Sequence, residues 1–549
     1  MKTARLTNAG KALLVPRFSV SNVFVCIVLF GMSIQSIGLH AQTYTDLHDF
    51  NCPVDGGRPN YSGIVAQGRD GNLYGTLPVG CGGSLGTVFK ITPSGTFTVI
   101  YKFTISDGSR PFSGLTLGTD GNFYGTTQQG GTAGYGTLFK ITPSGTLTVL
   151  HTFGGYDGAQ ANQPPVLGKV GLYGVTPAEA AYSILPSGAF KWLSKANFTG
   201  PSSAPLVLAG NGNLYGTQWT GGSSGYGTVF KLSPDGTLTT IYTFDQTHGA
   251  SPSGLVVGSD GNLYGTARAG GTATNPAGVV FKLTPNGAIT VLHNFDSQSS
   301  DGASPLSGLV ASSDGNFYGG TQASKGAPHG TLFKITKCGI FSVVHTFHGS
   351  EGEYVFSAPM QHTNGIIYGT TNSGGATNNG VFWSLNAGIA PFVSIVGLPT
   401  GKPGTTVEIL GQGFSSATSV MFGSGAASFN VVSDTYLTAI VPDSGTVGPV
   451  TVSTSSGALK SAQTFKVLPV LSTFSPSRGP VGTQVTITGA GLADTSAVTF
   501  NGVKAAFTVN LDGTQITATV PSGATSGKLV IKTPGSLITF PDYMPFIVT

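Results

Sequence analysis

Ser259-Asp260-Gly261-Asn262-Leu263-Tyr264-Gly265-Thr266 is one of seven versions of a single phrase in a chain of 549 residues. Its Tyr recurs at 74, 124, 173, 215, 264, 318 and 368, at gaps of 50, 49, 42, 49, 54 and 50 residues. Self-similarity at such a period means that one supersecondary unit is stacked, because a single copy cannot bury its apolar surface alone. Read outward over residues 113–153, the unit has four short strands. Ser113-Gly114-Leu115-Thr116-Leu117 is an apolar run, and Asp120-Gly121 is a tight hairpin turn, since both residues tolerate positive φ. Residues 122–127 form the second strand, and a Gly-rich loop over 128–136 leads to the third at 137–142. Pro143-Ser144-Gly145 turns the chain into the fourth, 146–153. Four antiparallel strands per unit describe a propeller blade. Leu138 lies on one side of the third strand and Phe139 and Ile141 on the other, as expected of a sheet sandwiched between two neighbours. The Gly after each Tyr is expected to mark close approach of blades near the axis.

The ends of the array decide how it closes. The third-strand pattern recurs at Phe89, Phe139, Phe230, Phe281, Phe333 and Phe382, with a degenerate copy around Tyr182. No fourth strand follows Phe382, but one precedes the first unit: Thr45-Asp46-Leu47-His48-Asp49-Phe50. Seven units balance seven fourth strands only if residues 43–50 complete the last blade, which also removes the exposed edges of an open array. The expectation is an all-β chain with a seven-bladed β-propeller over 43–388, closed by its N-terminal strand.

Composition supports a chain of short strands and tight turns. Charged residues are only 9%, against a usual value of about 25%. There are 84 Gly and 32 Pro, yet 39% of the chain is apolar, which argues against disorder. A net charge of +4, with no Lys/Arg run interleaved with aromatics, argues against nucleic acid as a partner. The basic residues that do cluster, Lys2, Arg5, Lys11 and Arg17, precede an apolar stretch over 23–30 and a small residue at Ala41. Residues 1–41 therefore read as a signal peptide, with export and no membrane span after cleavage. Ser33, Gln35 and Ser36 interrupt the apolar run short of the roughly 20 residues that a bilayer requires. Phe24-Val25 before Cys26 is not the small-residue context of a lipoprotein.

The Asp-Gly-Asn-Leu-Tyr-Gly-Thr core and the Leu-Phe-Lys-Ile-Thr-Pro-Ser-Gly segment resemble the bacterial GloVer repeat family, tandem-repeat surface proteins of the choice-of-anchor type. The resemblance covers about 43–388 and implies an extracellular or cell-surface protein; it carries no assigned chemistry. Members often end in a sorting anchor, whereas Ile547-Val548-Thr549 has neither an apolar tail nor a basic end.

From Ala390 the period changes. Pro399, Gly404, Val407-Glu408-Ile409, Gly411-Gln412-Gly413-Phe414 and Val441-Pro442 return as Pro476, Gly482, Val485-Thr486-Ile487, Gly489-Ala490-Gly491-Leu492 and Val520-Pro521. Alternating apolar and polar positions between Gly/Pro turns describe two small antiparallel sandwiches, 391–468 and 469–549. Both resemble IPT/TIG domains, an immunoglobulin-like family, which implies a stalk or an accessory, carbohydrate-associated module.

Candidate chemistry is sparse. Asp55, Asp107, Asp157, Asp301 and Glu351 recur just before the first strand of a blade, on the long-loop face, so a ring of carboxylates at the channel mouth is one expectation. Repeated Asp-Gly turn chemistry is the plainer reading. Asp70, Asp120, Asp260 and Asp314, in the opposite hairpins, are turn formers. His48, His151, His293 and His345 share a position with Tyr101 and Tyr242, which fits packing or hydrogen bonding and not metal binding. Trp219, Tyr226 and Tyr135, on loops of the same face, can stack on sugar rings or anchor their loops. Blade three takes only 13 residues from Tyr173 to Pro186, where blade two takes 19 from Tyr124 to Pro143, so a notch is expected in its rim. With Cys26 removed, blade topology puts Cys52 and Cys81 on one face and Cys338 on the other. A Cys52–Cys81 disulfide with Cys338 free is then expected in an oxidising compartment, three unpaired thiols being the alternative.

The first strands carry no Asp or Glu, and no Gly-x-Ser-x-Gly, His-Glu-x-x-His or phosphate loop is present. The expectation is a secreted or cell-surface, non-enzymatic binding protein without cofactor or metal, whose propeller face recognises carbohydrate or a cell-surface protein. The alternative is a polysaccharide-active enzyme that uses the loop-face carboxylates.

Overall fold

The computed structural model describes residues 42–59, 65–78, 80, 82–155, 160–168, 171–177, 180–194, 204–541 and 543–549. The signal-peptide reading of 1–41, Cys81 and Asp157 lie outside them.

The repeated phrase folds through its own side chains. Gly261 takes φ +76°, and Gly258 N donates to Asn262 O at 2.8 Å to close the turn. The Asp260 carboxylate accepts from Asn262 N at 3.2 Å, Asn262 Nδ2 at 2.8 Å and Tyr264 OH at 2.8 Å. The same three bonds recur around Asp70, Asp120 and Asp314. One carboxylate thus fixes the hairpin and the Tyr that follows it. Burial raises the Asp120 and Asp260 carboxyls, but these donors, joined by Lys282 at Asp260, outweigh it and hold both below the ordinary range, while burial pushes their Tyr partners up.

The Gly after Tyr serves a different end from the one expected. Gly75 pairs with Phe89 across the same sheet, and a Cβ on it would lie 2.5 Å from Phe89 Cζ. The corresponding distances are 2.6 Å at Gly125, 2.7 Å at Gly265 and 2.3 Å from Gly369 to Trp383. The glycine makes room for the third-strand aromatic of its own blade; contact between blades near the axis is not its cause.

Seven four-stranded antiparallel sheets follow one another among the described residues, the first being Ala66–Gln67, Leu73–Leu77, Thr87–Ile91 and Phe97–Lys102. In the last, Met360–Gln361, Ile367–Thr370 and Val381–Asn386 are completed by Thr43–Asp49, with Thr43 opposite Asn386 and Asp49 opposite Val381. Phe50 N extends the seam to Gly380 O at 3.0 Å. Each sheet packs on the next. Phe139 and Ile141 meet Tyr74 and Val88 of the first sheet, and Leu138 meets Leu172 and Tyr182 of the third. Around the set, Phe50, Tyr368 and Phe382 of the last sheet return to Leu73, Phe89 and Ile91 of the first.

Two sandwiches follow. Val407, Ile409, Phe414, Val450 and Phe465 lie in the core of one, and Val485, Ile487, Leu492, Leu529 and Phe546 in that of the other. The first is docked on the hairpin face of the propeller-like body, not extended from it as a stalk. Leu410 and Tyr436 join the cluster of Tyr74, Leu117 and Phe123. Arg69 Nη2 lies 2.7 Å from Glu408 Oε2, and its guanidinium sits 4.6 Å above the Tyr436 ring. Thr363 Oγ1 accepts from Gln67 Nε2 at 2.8 Å and from Gln412 Nε2 at 2.9 Å, so one hydroxyl joins both bodies.

Candidate functional site: the channel and its loop-face mouth

The first strands of consecutive sheets contact one another, and their side chains line a channel. On the long-loop side they enclose a cavity of about 540 Å³ walled by Leu115, Leu206, Leu255 and Leu309. Gln128, Asn162, Gln163 and Trp219 contribute polar and aromatic edges. No described residue lining it is charged. A second cavity of about 420 Å³ shares Thr116 and Val166 with the first and is lined on its other side by residues 394–399 and Leu410 of the docked sandwich.

Of the residues expected at the site, Trp219 alone lines the cavity among those described. It is 38% exposed, and the Arg268 guanidinium stands 5.3 Å from its ring centre, which steadies the indole. Tyr226 is equally exposed but lies outside the lining. Tyr135 packs across the backbone of Gly155, where an added Cβ would lie 3.1 Å from the ring, so it anchors its loop.

The four described carboxylates are each engaged away from the mouth. Asp55 Oδ2 lies 2.9 Å from His48 Nε2 and accepts from Asn51 N at 2.7 Å. Asp107 accepts from Tyr101 OH at 2.7 Å and from Thr104 N at 2.9 Å. Asp301 Oδ2 lies 2.7 Å from His293 Nε2, and Ser299 Oγ donates to its other oxygen. Glu351 Oε1 lies 3.0 Å from both His348 Nδ1 and His345 Nε2, although the latter nitrogen is not aligned as a hydrogen bond. Each carboxylate is tied to the His or Tyr of the preceding fourth strand, the outermost of its sheet, far from the first strands. Burial pushes Tyr101 up to about 12, helped by Asp107. The histidines also stack on the fourth strand of the next sheet, His48 on Phe97 at 4.3 Å and His293 on Phe341 at 3.8 Å. The shared His/Tyr position and the recurring carboxylate are thus two halves of one inter-strand lock. The signal was in the sequence: both series recur in step, six to eight residues apart.

Cys338, expected free, is disulfide-bonded, as is Cys52. Cys81, the expected partner of Cys52, lies outside the described residues. No group of three or more His, Cys, Asp or Glu among the described residues is placed to hold a metal ion. No described helix is long and apolar enough to cross a membrane.

This geometry defines an all-β protein with a propeller-like body and two immunoglobulin-like modules. The Gloeobacter/Verrucomicrobia repeat model matches residues 33–184 and 179–383, and the IPT/TIG domain model matches 391–467 and 469–543. The chain therefore belongs to the Gloeobacter/Verrucomicrobia repeat family and carries two IPT/TIG domains. No curated protein matches it. Among solved structures, a streptogramin B lyase is 14% identical over 63% of this chain and 97% of its own, with a TM-score of 0.45. A gluconolactonase from Xanthomonas campestris is 14% identical over 63% and 90%, with a TM-score of 0.34. A surface glycan-binding protein from Prevotella bryantii is 20% identical over 26% and 37%, with a TM-score of 0.21. None of these likenesses bears on chemistry.

Proposed function

We propose that the seven sheets are the blades of one closed propeller, and that the protein is an exported, non-enzymatic binding protein of the cell surface or extracellular space. Its long-loop face recognises carbohydrate or another surface partner, with Trp219 as the stacking platform. The observation that carries this reading is the cavity at that face, apolar-walled, free of charge among its described lining residues and edged by an indole held by Arg268. Cavities of this size with a few polar groups are the usual form of a ligand site. The absence of enzymatic activity is supported by the carboxylates: glycoside cleavage needs a pair facing a common pocket, and Asp55, Asp107, Asp301 and Glu351 are each engaged elsewhere.

A glycan array probed with the full chain, beside a hydrolysis assay on the same glycans, tests it. Binding without turnover, weakened by Trp219→Ala, is the expected result. Turnover abolished by Asp107→Ala or Asp301→Ala would overturn the non-enzymatic reading. Export is tested by sequencing the N-terminus of protein recovered outside the producing cell, which is expected to begin at Gln42.

A further inference from the structure

The channel differs from its rim in chemistry, and that difference constrains what enters. Leu115, Leu206, Leu255 and Leu309 form the wall, and Gln128 and Gln163 stand on the long-loop side. A charged group carried inward would lose its hydration and meet no counter-charge among the described lining residues. The upper and lower cavities share Thr116 and Val166 in their linings, and residues 394–399 with Leu410 line the lower one. The docked first IPT/TIG module therefore supplies part of the wall of the lower cavity. The upper cavity sets apolar leucines below a polar and aromatic rim, which suits a ligand with an apolar end and a polar end.

The geometry points to an uncharged amphiphile held tail first, its apolar tail between the channel leucines and its hydroxylated head at the rim beside Trp219. This deepens the loop-face reading above and rests on it for the direction of access. Small residues next to the wall supply a way to fill the channel. A Cβ on Gly254 would lie 3.5 Å from Gly308 Cα and 3.7 Å from Ala204 Cβ, ordinary contact distances, and Gly254 has no left-handed φ. Ala358 also lines the cavity and is half-buried.

The test is calorimetric titration of the full chain with n-alkyl β-glucosides from butyl to decyl, each below its micelle concentration, with glucose as the head-group control. Affinity is expected to rise about two- to fourfold per added methylene until the tail fills the apolar cavity, then to level off. Gly254→Leu and Ala358→Phe, each checked for wild-type melting, are expected to weaken the octyl glucoside at least tenfold. An 8-aminooctyl glucoside, whose tail ends in an ammonium, is expected to bind at least tenfold more weakly than the octyl compound. Affinity independent of chain length, no binding by the whole series, or wild-type octyl affinity in both filled variants overturns the inference. Equal binding of the aminooctyl compound removes its uncharged tail. Glycans bound on the array without any chain-length effect would leave the loop-face reading standing and sink this one; a chain-length effect without glycan binding would do the reverse.

Discussion

The two faces of the propeller-like body use the same residue types for different structural tasks, and neither leaves its described carboxylates to the axis. On the hairpin face, Asp70, Asp120, Asp260 and Asp314 each hold a turn and the Tyr of their own second strand. On the loop face, Asp55, Asp107, Asp301 and Glu351 tie the fourth strand to the next connection. One face is then covered by an IPT/TIG module; the other keeps a mouth whose described lining residues are uncharged, with Trp219 at its edge. The contrast teaches that repetition of an acidic residue in a repeat fold reports the repeat, and that the candidate site is found where the repeat leaves only apolar side chains.

The comparison is broken most severely at the seam common to both faces. Phe50, fully buried between the last and first sheets, is the largest side chain that the closing segment contributes there. Phe50→Ala is expected to cost about 3–5 kcal/mol in denaturant unfolding, as for other aromatic truncations in cores. A loss below 1 kcal/mol would show that the seam does not carry closure. On the hairpin face, Asp120→Ala removes three acceptor bonds, one to the fully buried Tyr124, and is expected to cost about 2 kcal/mol; Asp107→Ala on the loop face also removes three, but to the half-buried Tyr101 and the exposed Thr104, and is expected to cost less. Equal losses would erase the distinction between the faces. Gly125→Ala, which drives a Cβ to 2.6 Å from Phe139 Cζ, is expected to cost about 1–3 kcal/mol, read in the same way.

Docking on the hairpin face is tested by Arg69→Ala. It strips the partly buried Glu408 of its cation and the Tyr436 ring of its cover, for an expected loss of about 1–2 kcal/mol. The readout is faster proteolysis between 386 and 394, and an unchanged cleavage rate would mean that the docking does not depend on this pair.

The smallest effect is one of pH. Asp46, on the closing strand, is pushed up to about 6 by burial, aided by Asp49 and Glu351 and opposed by His48. A carboxyl whose folded value lies above its ordinary 3.8 keeps its proton in the native state where the unfolded chain has lost it. Its contribution to stability is complete below about pH 4 and is lost as pH rises through about 6. Asp46→Asn is therefore expected to flatten stability between pH 4 and 6 and to raise it at pH 7 by about 1 kcal/mol, after discounting for solvent screening of a half-exposed group. A variant with the wild-type pH profile would remove Asp46 as the source.

The sequence was legible where a residue's task is local or repeated. The Asp-Gly-Asn-x-Tyr phrase encodes a turn and its own hydrogen bonds, so four full copies and three variants announce seven hairpins, and counting strand patterns at the two ends was enough to place Thr43–Asp49 against Val381–Asn386. The period change at 390 likewise separated sandwich from repeat. What side chains at distant positions do to one another had to wait for three dimensions. That Asp107 turns outward to Tyr101, that the Gly after Tyr yields to a ring two strands on, and that Glu408 lies against Arg69 across 339 residues are all matters of direction and packing. Strand periodicity gives the alternation of side chains but not which neighbour fills the space above them. Only close-packing of the sheets and the docked sandwich decides that, and with it the shape and charge of the channel.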